Sequence, residues 1–362
     1  MANEYHDDVA AAIDSAAATR RIRMTPRVDA YRAMSARLEG MGDGELVALL
    51  RRADATEGIG RACVLDIDGA RVFAKSIPVT DRELEHPYST RNLFGLPAFY
   101  HYPIGSAGFG VFREVAAHVK ATEWVLQGDV DTFPLLYHHR ILPLGGETLR
   151  MTDDELREYI EYWNGSDEIR TYMLARRAAP AHAVLFLEYV PHVLEDWFGA
   201  HLPELDMVTS GMERTIELLR ARGVGHFDTH FGNVLTDGRQ IFLTDFGMVM
   251  DEGFELDDDE RAFFAAHRHY DSGRFVQSLY LPLRQLSPAV DLDHLDELVA
   301  SGTLALPPAY VETLHRYRGV REIMNRVHVT LRRGDKRQGG YDDEELRRTL
   351  EAARELAPGR HR

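Results

Sequence analysis

What most constrains this chain is the place where its strand signals stop. Between Thr56 and Tyr189 short apolar runs alternate with turn residues and helical stretches, whereas beyond Val190 the apolar spacing turns mostly helical. Strand signals concentrated in one half, with helices dominating the other, are what an α+β fold would show. Val64, Leu65 and Ile67 precede the turn Asp68-Gly69, and Val72, Phe73 and Ala74 follow it, which is a β-hairpin signal. Pro134 to Leu142 and Ala183 to Tyr189 read as two further strands. Between them Thr152-Asp153-Asp154-Glu155 has the spacing of a capping box, opening a helix through about Trp163. A helix is expected from near Val111 toward Leu126, and the aromatic, glycine- and proline-rich segment from Pro78 to Phe109 before it reads as an ordered loop insertion. The first fifty residues read as helices, with Thr25-Pro26 as N-cap and first-turn pair and a second short helix after Asp43. Downstream, Met207 to Arg222 is the clearest helix, stopped by Gly223. Short strands Val234-Leu235 and Ile241 to Leu243 flank Asp237-Gly238, and after Asp258 the chain reads as helices and loops punctuated by Pro307-Pro308.

Composition narrows the function. A formal charge of −16 argues against a nonspecific nucleic-acid binder, which needs a surplus of lysine and arginine, so any nucleotide has to be held locally. The single cysteine, Cys63, excludes an intrachain disulfide and points to a reducing compartment. No apolar run approaches membrane-spanning length, and Asn3, Glu4, Asp7 and Asp8 leave the start without a basic-then-apolar signal pattern. The expectation is a soluble cytoplasmic protein with no nucleic-acid or membrane partner; the oligomeric state is not specified.

Chemistry concentrates in His226-Phe227-Asp228-Thr229-His230-Phe231-Gly232-Asn233 and, shortly after, Asp245-Phe246-Gly247. Phosphoryl transfer from ATP needs a carboxylate near the attacking hydroxyl and acceptor oxygens for Mg²⁺, and Asp228, Asn233 and Asp245 supply that set. A rival reading makes His226, Asp228 and His230 a His-x-Asp-x-His metal cluster in a metallohydrolase, since alternate strand residues share a face. Against it, His138-His139 and His267 with His269 lack a recognisable ligand spacing.

The H-x-D-x-x-x-x-N spacing followed by D-F-G resembles the protein-kinase-like superfamily, with Phe227 where that signature has arginine. The H-x-D-x-H-x-G-N form is similar to the aminoglycoside and choline phosphotransferase branch, with a bacterial serine/threonine-kinase-like protein as the other relative in view. The resemblance covers roughly Gly58 to Asp271. It implies a two-lobed fold: a small antiparallel N-lobe over 56–187 with insertions at about 78–109 and 144–180, and a mainly helical C-lobe over 188–362 carrying the catalytic loop. Residues 1–55 form a helical N-terminal extension outside it.

The resemblance also implies ATP and Mg²⁺ as cofactors and a role for each motif. Asp228 orients or deprotonates the acceptor hydroxyl, His226 orients the loop by hydrogen bonds, and Asn233 and Asp245 hold magnesium. Lys75, at the end of the hairpin's second strand, neutralises the α- and β-phosphates with Glu114 as its helix partner and Glu123 as the alternative. Glu57-Gly58-Ile59-Gly60 covers the phosphates through Gly58 and Gly60, although Cys63 replaces the third glycine of that pattern. Val184 to Leu187 followed by Glu188-Tyr189-Val190 stands for the fifth strand and hinge, where backbone groups of Glu188 and Val190 read adenine.

Two departures from protein kinases matter. No Ala-Pro-Glu follows Asp245-Phe246-Gly247, and the chain passes quickly into Asp257-Asp258-Asp259-Glu260, read as a solvated helix N-terminus or as an attractor of a cationic acceptor. The short segment after Asp245 favours a small-molecule hydroxyl as acceptor, while the intact motifs favour serine or threonine of a protein or peptide. A catalytically inactive kinase-like regulator that binds ATP is the alternative from another class; retention of Asp228, Asn233, Asp245 and Lys75 argues against it.

Overall fold

The Asp68-Gly69 turn sets the first sheet. Both residues have positive φ, 53° and 83°, the backbone of a two-residue hairpin turn whose twist matches its strands, and the Gly69 N–H donates to Asp66 Oδ1 at 2.9 Å. It joins β1 (Arg61–Ile67) to β2 (Ala70–Val79) in antiparallel register. A computed structural model describes residues 26–53, 61–144, 151–286, 294–338, 340 and 342–356. With β3 (Leu136–Leu142) and β4 (Ala181–Glu188) the hairpin forms a four-stranded antiparallel sheet of order β1-β2-β4-β3. Strand β2 extends through Pro78, so the first insertion starts later than its composition predicts. Pro78 pairs with His182 of β4 but lies past Ser76, the last β2 residue facing β1, where a missing N–H leaves no β1 bond unmade.

Alternation along the strands sorts side chains to two faces. Val72, Ala74, Val184 and Phe186 point one way, where Leu38, Met41 and Leu46 cover them. Leu38 belongs to helix α1 over residues 26–39, Leu46 to helix α2 (Asp43–Arg52), and Met41 to the turn between them. Each is buried to 2% exposure or less, which removes an apolar side chain from water for about 2 kcal/mol apiece. The helical extension is therefore the lid of the sheet's outer face. Ile77, Leu185 and Leu187 point the other way, onto Val111, Phe112 and Val115 of helix α4 (Val111–Gln127). Parity puts Lys75 on this second face.

Both insertions are built from short elements. The first holds helix α3 (Asp81–Glu85), capped reciprocally by Thr80 and Glu83, and a single 3-10 turn at Ala98–His101. Glu83 then accepts the Val111 N–H at 2.9 Å, capping α4 as well. The second holds α5 (Asp153–Tyr162), opened by the Thr152/Glu155 capping box, and α6 (Asp167–Arg177).

After the two-residue strand β5 (His192–Val193) and the short helix α7 (Leu194–Trp197), helices dominate from Leu205: α8 (Leu205–Ala221), α9 (Asp258–Ala265), α10 (Tyr270–Ser278), α11 (Leu281–Leu286), α12 (Leu295–Ala300), α13 (Pro308–Arg316), α14 (Arg318–Arg333) and α15 (Asp343–Glu355). Between α8 and α9 lie two small sheets. In one, β7 (Val234–Thr236) and β8 (Ile241–Leu243) form a hairpin; in the other, β6 (Val224–Gly225) pairs with β9 (Met250–Asp251). The fold is thus mixed α+β with small antiparallel sheets. No helix among the described residues is long and apolar enough to cross a membrane.

The acidic run at Asp257 corrects an expectation. Asp257 does cap α9, but Glu260 is 1% exposed and is not solvated. Its carboxylate takes a two-pronged bond from Arg113 of α4, at 2.6 and 3.0 Å, and stands 3.2 Å from His101 Nε2. The N3 position that completes the capping box also anchors α4.

Candidate active site

The hairpin β7–β8 explains the spacing of the two motifs. Its register sets Val234 against Leu243, and the Thr244 N–H donates to Asn233 O at 2.9 Å, so the chain returns to deliver Asp245 beside Asn233. His226 fastens the other end: its Nε2–H donates to Thr244 O at 3.0 Å and its Nδ1 accepts the Asp228 N–H at 3.3 Å. Burial lowers the pKa of this ring, against the pull of Asp271 and Asp228. With both nitrogens occupied by backbone, His226 is not placed as a metal ligand. No cluster of three or more His, Cys, Asp or Glu suited to a metal ion occurs among the described residues, so the His226/Asp228/His230 reading is withdrawn.

Two residues of the loops have left-handed backbone, Phe227 at φ 66° and Asp245 at φ 64°. For a side chain larger than glycine this costs on the order of 1–2 kcal/mol, so something has to hold it. For Phe227 the holder is Asp271 at the start of α10, whose carboxylate oxygens accept the His226 and Phe227 N–H groups at 2.7 Å each. The ring is 1% exposed and stacks on Tyr270, with Phe263 and Phe264 also against it. Nothing local in the sequence marked Asp271; its role depends on a backbone that only the folded chain presents.

A cavity of about 640 Å³ contains the remaining predicted residues: Lys75, Glu114, Asp228, Asn233 and Asp245 line it, as do Glu188 and Val190. Lys75 Nζ donates to Glu114 Oε1 at 2.7 Å and to Asp245 Oδ1 at 2.8 Å. Glu114, and not Glu123, is thus the residue brought to the lysine. Burial alone would lower the Lys75 ammonium, but the two carboxylates outweigh it and hold the pKa above its usual value. Burial raises Glu114 against the pull of Lys75. Burial would likewise raise Asp245; Lys75 and the Gly247 N–H bring it down to about 2.

Asn233 turns its amide N–H groups to Asp228, reaching the backbone oxygen and Oδ2 at 3.0 Å each. Asn233 and Asp245 both line the cavity, and their side-chain oxygens are hard donors of the kind that hold Mg²⁺ jointly with phosphate and water. Asp228 Oδ1 makes no hydrogen bond, with Arg274 Nε of α10 3.7 Å away.

Gly58 and Gly60 lie outside the described residues. Part of the wall was not anticipated. Arg176 of α6, 4% exposed, lines the cavity and holds Tyr172 OH at 3.1 Å. From the first insertion, Ser106, Ala107 and Gly108 line it too, and Gly108 presses on the Asp-Phe-Gly turn so closely that a Cβ there would meet Gly247 O at 2.5 Å.

No family model matches the chain, and no curated protein matches its sequence. Among solved structures one similar chain is described as WaaP in complex with acyl carrier protein, at 13% identity and a TM-score of 0.35, over 79% of this chain and 92% of that one. Likeness at that level carries no argument about fold or chemistry.

Proposed function

We propose that the protein is a two-lobed, kinase-like phosphotransferase that moves the terminal phosphoryl group of ATP to a hydroxyl. The observation that carries this reading is the Glu114–Lys75–Asp245 bridge inside a cavity that also holds Asp228 and Asn233. One ammonium set between a helix glutamate and a loop aspartate, with the Asp228 carboxylate lining the same cavity, is a device for placing phosphate next to a base. The sheet with α1, α2 and α4 forms the first lobe of this reading and the helices from Leu205 the second, with the nucleotide between them.

In the step itself the acceptor oxygen attacks the γ-phosphorus, the bond from that phosphorus to the β,γ-bridging oxygen breaks, and ADP leaves. The Asp228 carboxylate takes the hydroxyl proton, with Asn233 holding its Oδ2 at 3.0 Å. Lys75 exchanges its bond to Asp245 for phosphate oxygens and retains Glu114 as its positioner. Asp245 and Asn233 would hold magnesium, which would offset phosphate charge. Glu188 to Val190 line the same cavity, and on this reading their backbone groups would meet the base edge.

The acceptor is a small molecule. Ser106, Ala107, Arg176 and Met248, supplied by the insertions and the segment after Asp245, wall the cavity that contains Asp228, which suits a compact alcohol better than an extended peptide. Calorimetric titration with MgATP tests the reading: binding that requires Mg²⁺ supports it, and absence of binding removes it. Incubation with MgATP followed by intact-mass measurement tests the acceptor, since phosphate added to the chain would favour a protein hydroxyl.

A further inference from the structure

One side chain of the N-terminal extension reaches the hinge. Arg27, in the first turn of α1, donates from Nε to Glu188 Oε1 at 2.8 Å and from Nη2 to Glu188 Oε2 at 2.6 Å. The same guanidinium donates to Asp131 O at 3.0 Å and to Phe133 O at 2.5 Å, and lies 5.2 Å over the ring of Phe242 on β8. Arg27 and Glu188 are mostly buried, at 13% and 18% side-chain exposure. Glu188 ends β4 and is also tied to Leu135, accepting its N–H at 3.1 Å and donating its own to Leu135 O at 2.8 Å. Helix α1 is held in turn by Ser35, whose Oγ–H donates to Tyr137 O at 2.7 Å, and by the burial of Leu38.

We propose that Arg27 is a positioning residue for the nucleotide base: the N-terminal helix sets the conformation of residues 188–190 and, through it, the preference for adenine. The inference deepens the phosphotransferase reading and rests on it. Its physical basis is that a planar guanidinium can satisfy a carboxylate and two carbonyls at once, which an ammonium cannot. Without it the Glu188 carboxylate stays beside the cavity with only the Leu135 N–H, and two carbonyls before β3 lose a donor. The hinge backbone is then free to shift, and so are its base contacts.

The test uses the full chain with Arg27→Lys and Arg27→Ala, measuring affinity for MgATP and MgGTP by calorimetry and the thermal midpoint without nucleotide. Arg27→Ala is expected to weaken MgATP about tenfold, roughly the loss of one good interaction, while changing MgGTP less, so that the ATP-over-GTP ratio narrows. Arg27→Lys, which retains charge and stem, is expected to fall between. A ratio unchanged in both variants overturns the proposal even if the midpoint drops, because a purely structural residue would weaken both nucleotides alike. If the wild-type protein binds neither nucleotide, this proposal and the phosphotransferase reading fall together; if it binds MgATP and Arg27→Ala matches it, only this one falls.

Discussion

Replacing Asp271 by asparagine tests how the loop from His226 to Asn233 is held. The carboxylate accepts two backbone N–H groups, from His226 and Phe227, at 2.7 Å each. An asparagine offers one carbonyl oxygen, so one N–H keeps an acceptor and the other faces an NH₂. Losing a hydrogen bond to a buried charged acceptor costs about 1.5–3 kcal/mol. Part of this returns as Phe227 relaxes from its φ of 66°, worth about 1 kcal/mol. The net expectation is a destabilisation of about 1–2 kcal/mol, small against a total stability on the order of 5–15 kcal/mol, so the protein stays folded. The relaxation moves the neighbouring Asp228, and a displacement near 1 Å lowers turnover about 10²-fold. MgATP affinity should hold within about twofold, because Lys75 and Asp245 belong to other segments. Urea unfolding followed by circular dichroism, MgATP titration and ATP consumption with a supporting acceptor give the three quantities. A variant as stable and as active as wild type would refute the clamp, and equal losses of affinity and turnover would refute the separation of Asp228 from the phosphate side.

Lys75→Met should abolish turnover, whereas Glu114→Gln should lower it less, since Glu114 only positions the ammonium that meets phosphate; equal losses in ATP consumption would count against the assigned roles. Glu260→Gln breaks a buried pair and leaves Arg113 uncompensated, for about 3–5 kcal/mol in urea unfolding. The double change Arg113→Met with Glu260→Leu should cost less than the single one, and a larger cost would contradict the electrostatic account. Stability should fall with acid. Burial lowers His101 and His267 to about 4 and His118 and His328 to about 3, all below their unfolded value, so below about pH 6.5 the unfolded chain binds more protons. Their contribution is full above that pH and declines toward pH 4 by up to about 1.4 kcal/mol per unit for each ring. Unfolding midpoints that stay level from pH 7 to pH 5 would show that these rings are not held neutral by burial.

Local chemistry made part of this architecture readable. Asp68-Gly69 announces its hairpin because both positions favour positive φ, and Lys75 follows from strand parity once the hairpin is placed. The capping box at Thr152 and the glycine after α8 are equally local. What escaped depends on partners far along the chain. Arg27 meets Glu188 across 161 residues, and Asp271 meets the His226 amide across 45. Glu260 looked solvated because its acidic neighbours are; only the approach of Arg113 from α4 turns it inward. The Asn233 amide, expected at the metal, is shared with Asp228, a contact that motif spacing alone does not reveal.

The contact of Gly108 with Gly247 has a consequence for how ligands can distinguish this protein. Phe246 is 1% exposed, seated among His118, Phe133 and His226, and the peptide just after it lies under the 105–110 loop. Moving that ring out of its seat shifts Gly247, whose carbonyl is packed against Gly108, so the loop is expected to move with it. An inhibitor that works by occupying the space behind a displaced Phe246 therefore meets two coupled barriers here. One that fills the open cavity between Lys75 and Val190 meets neither, and resistance by a bulkier residue at 108 is closed to the protein because that residue would collide with its own motif.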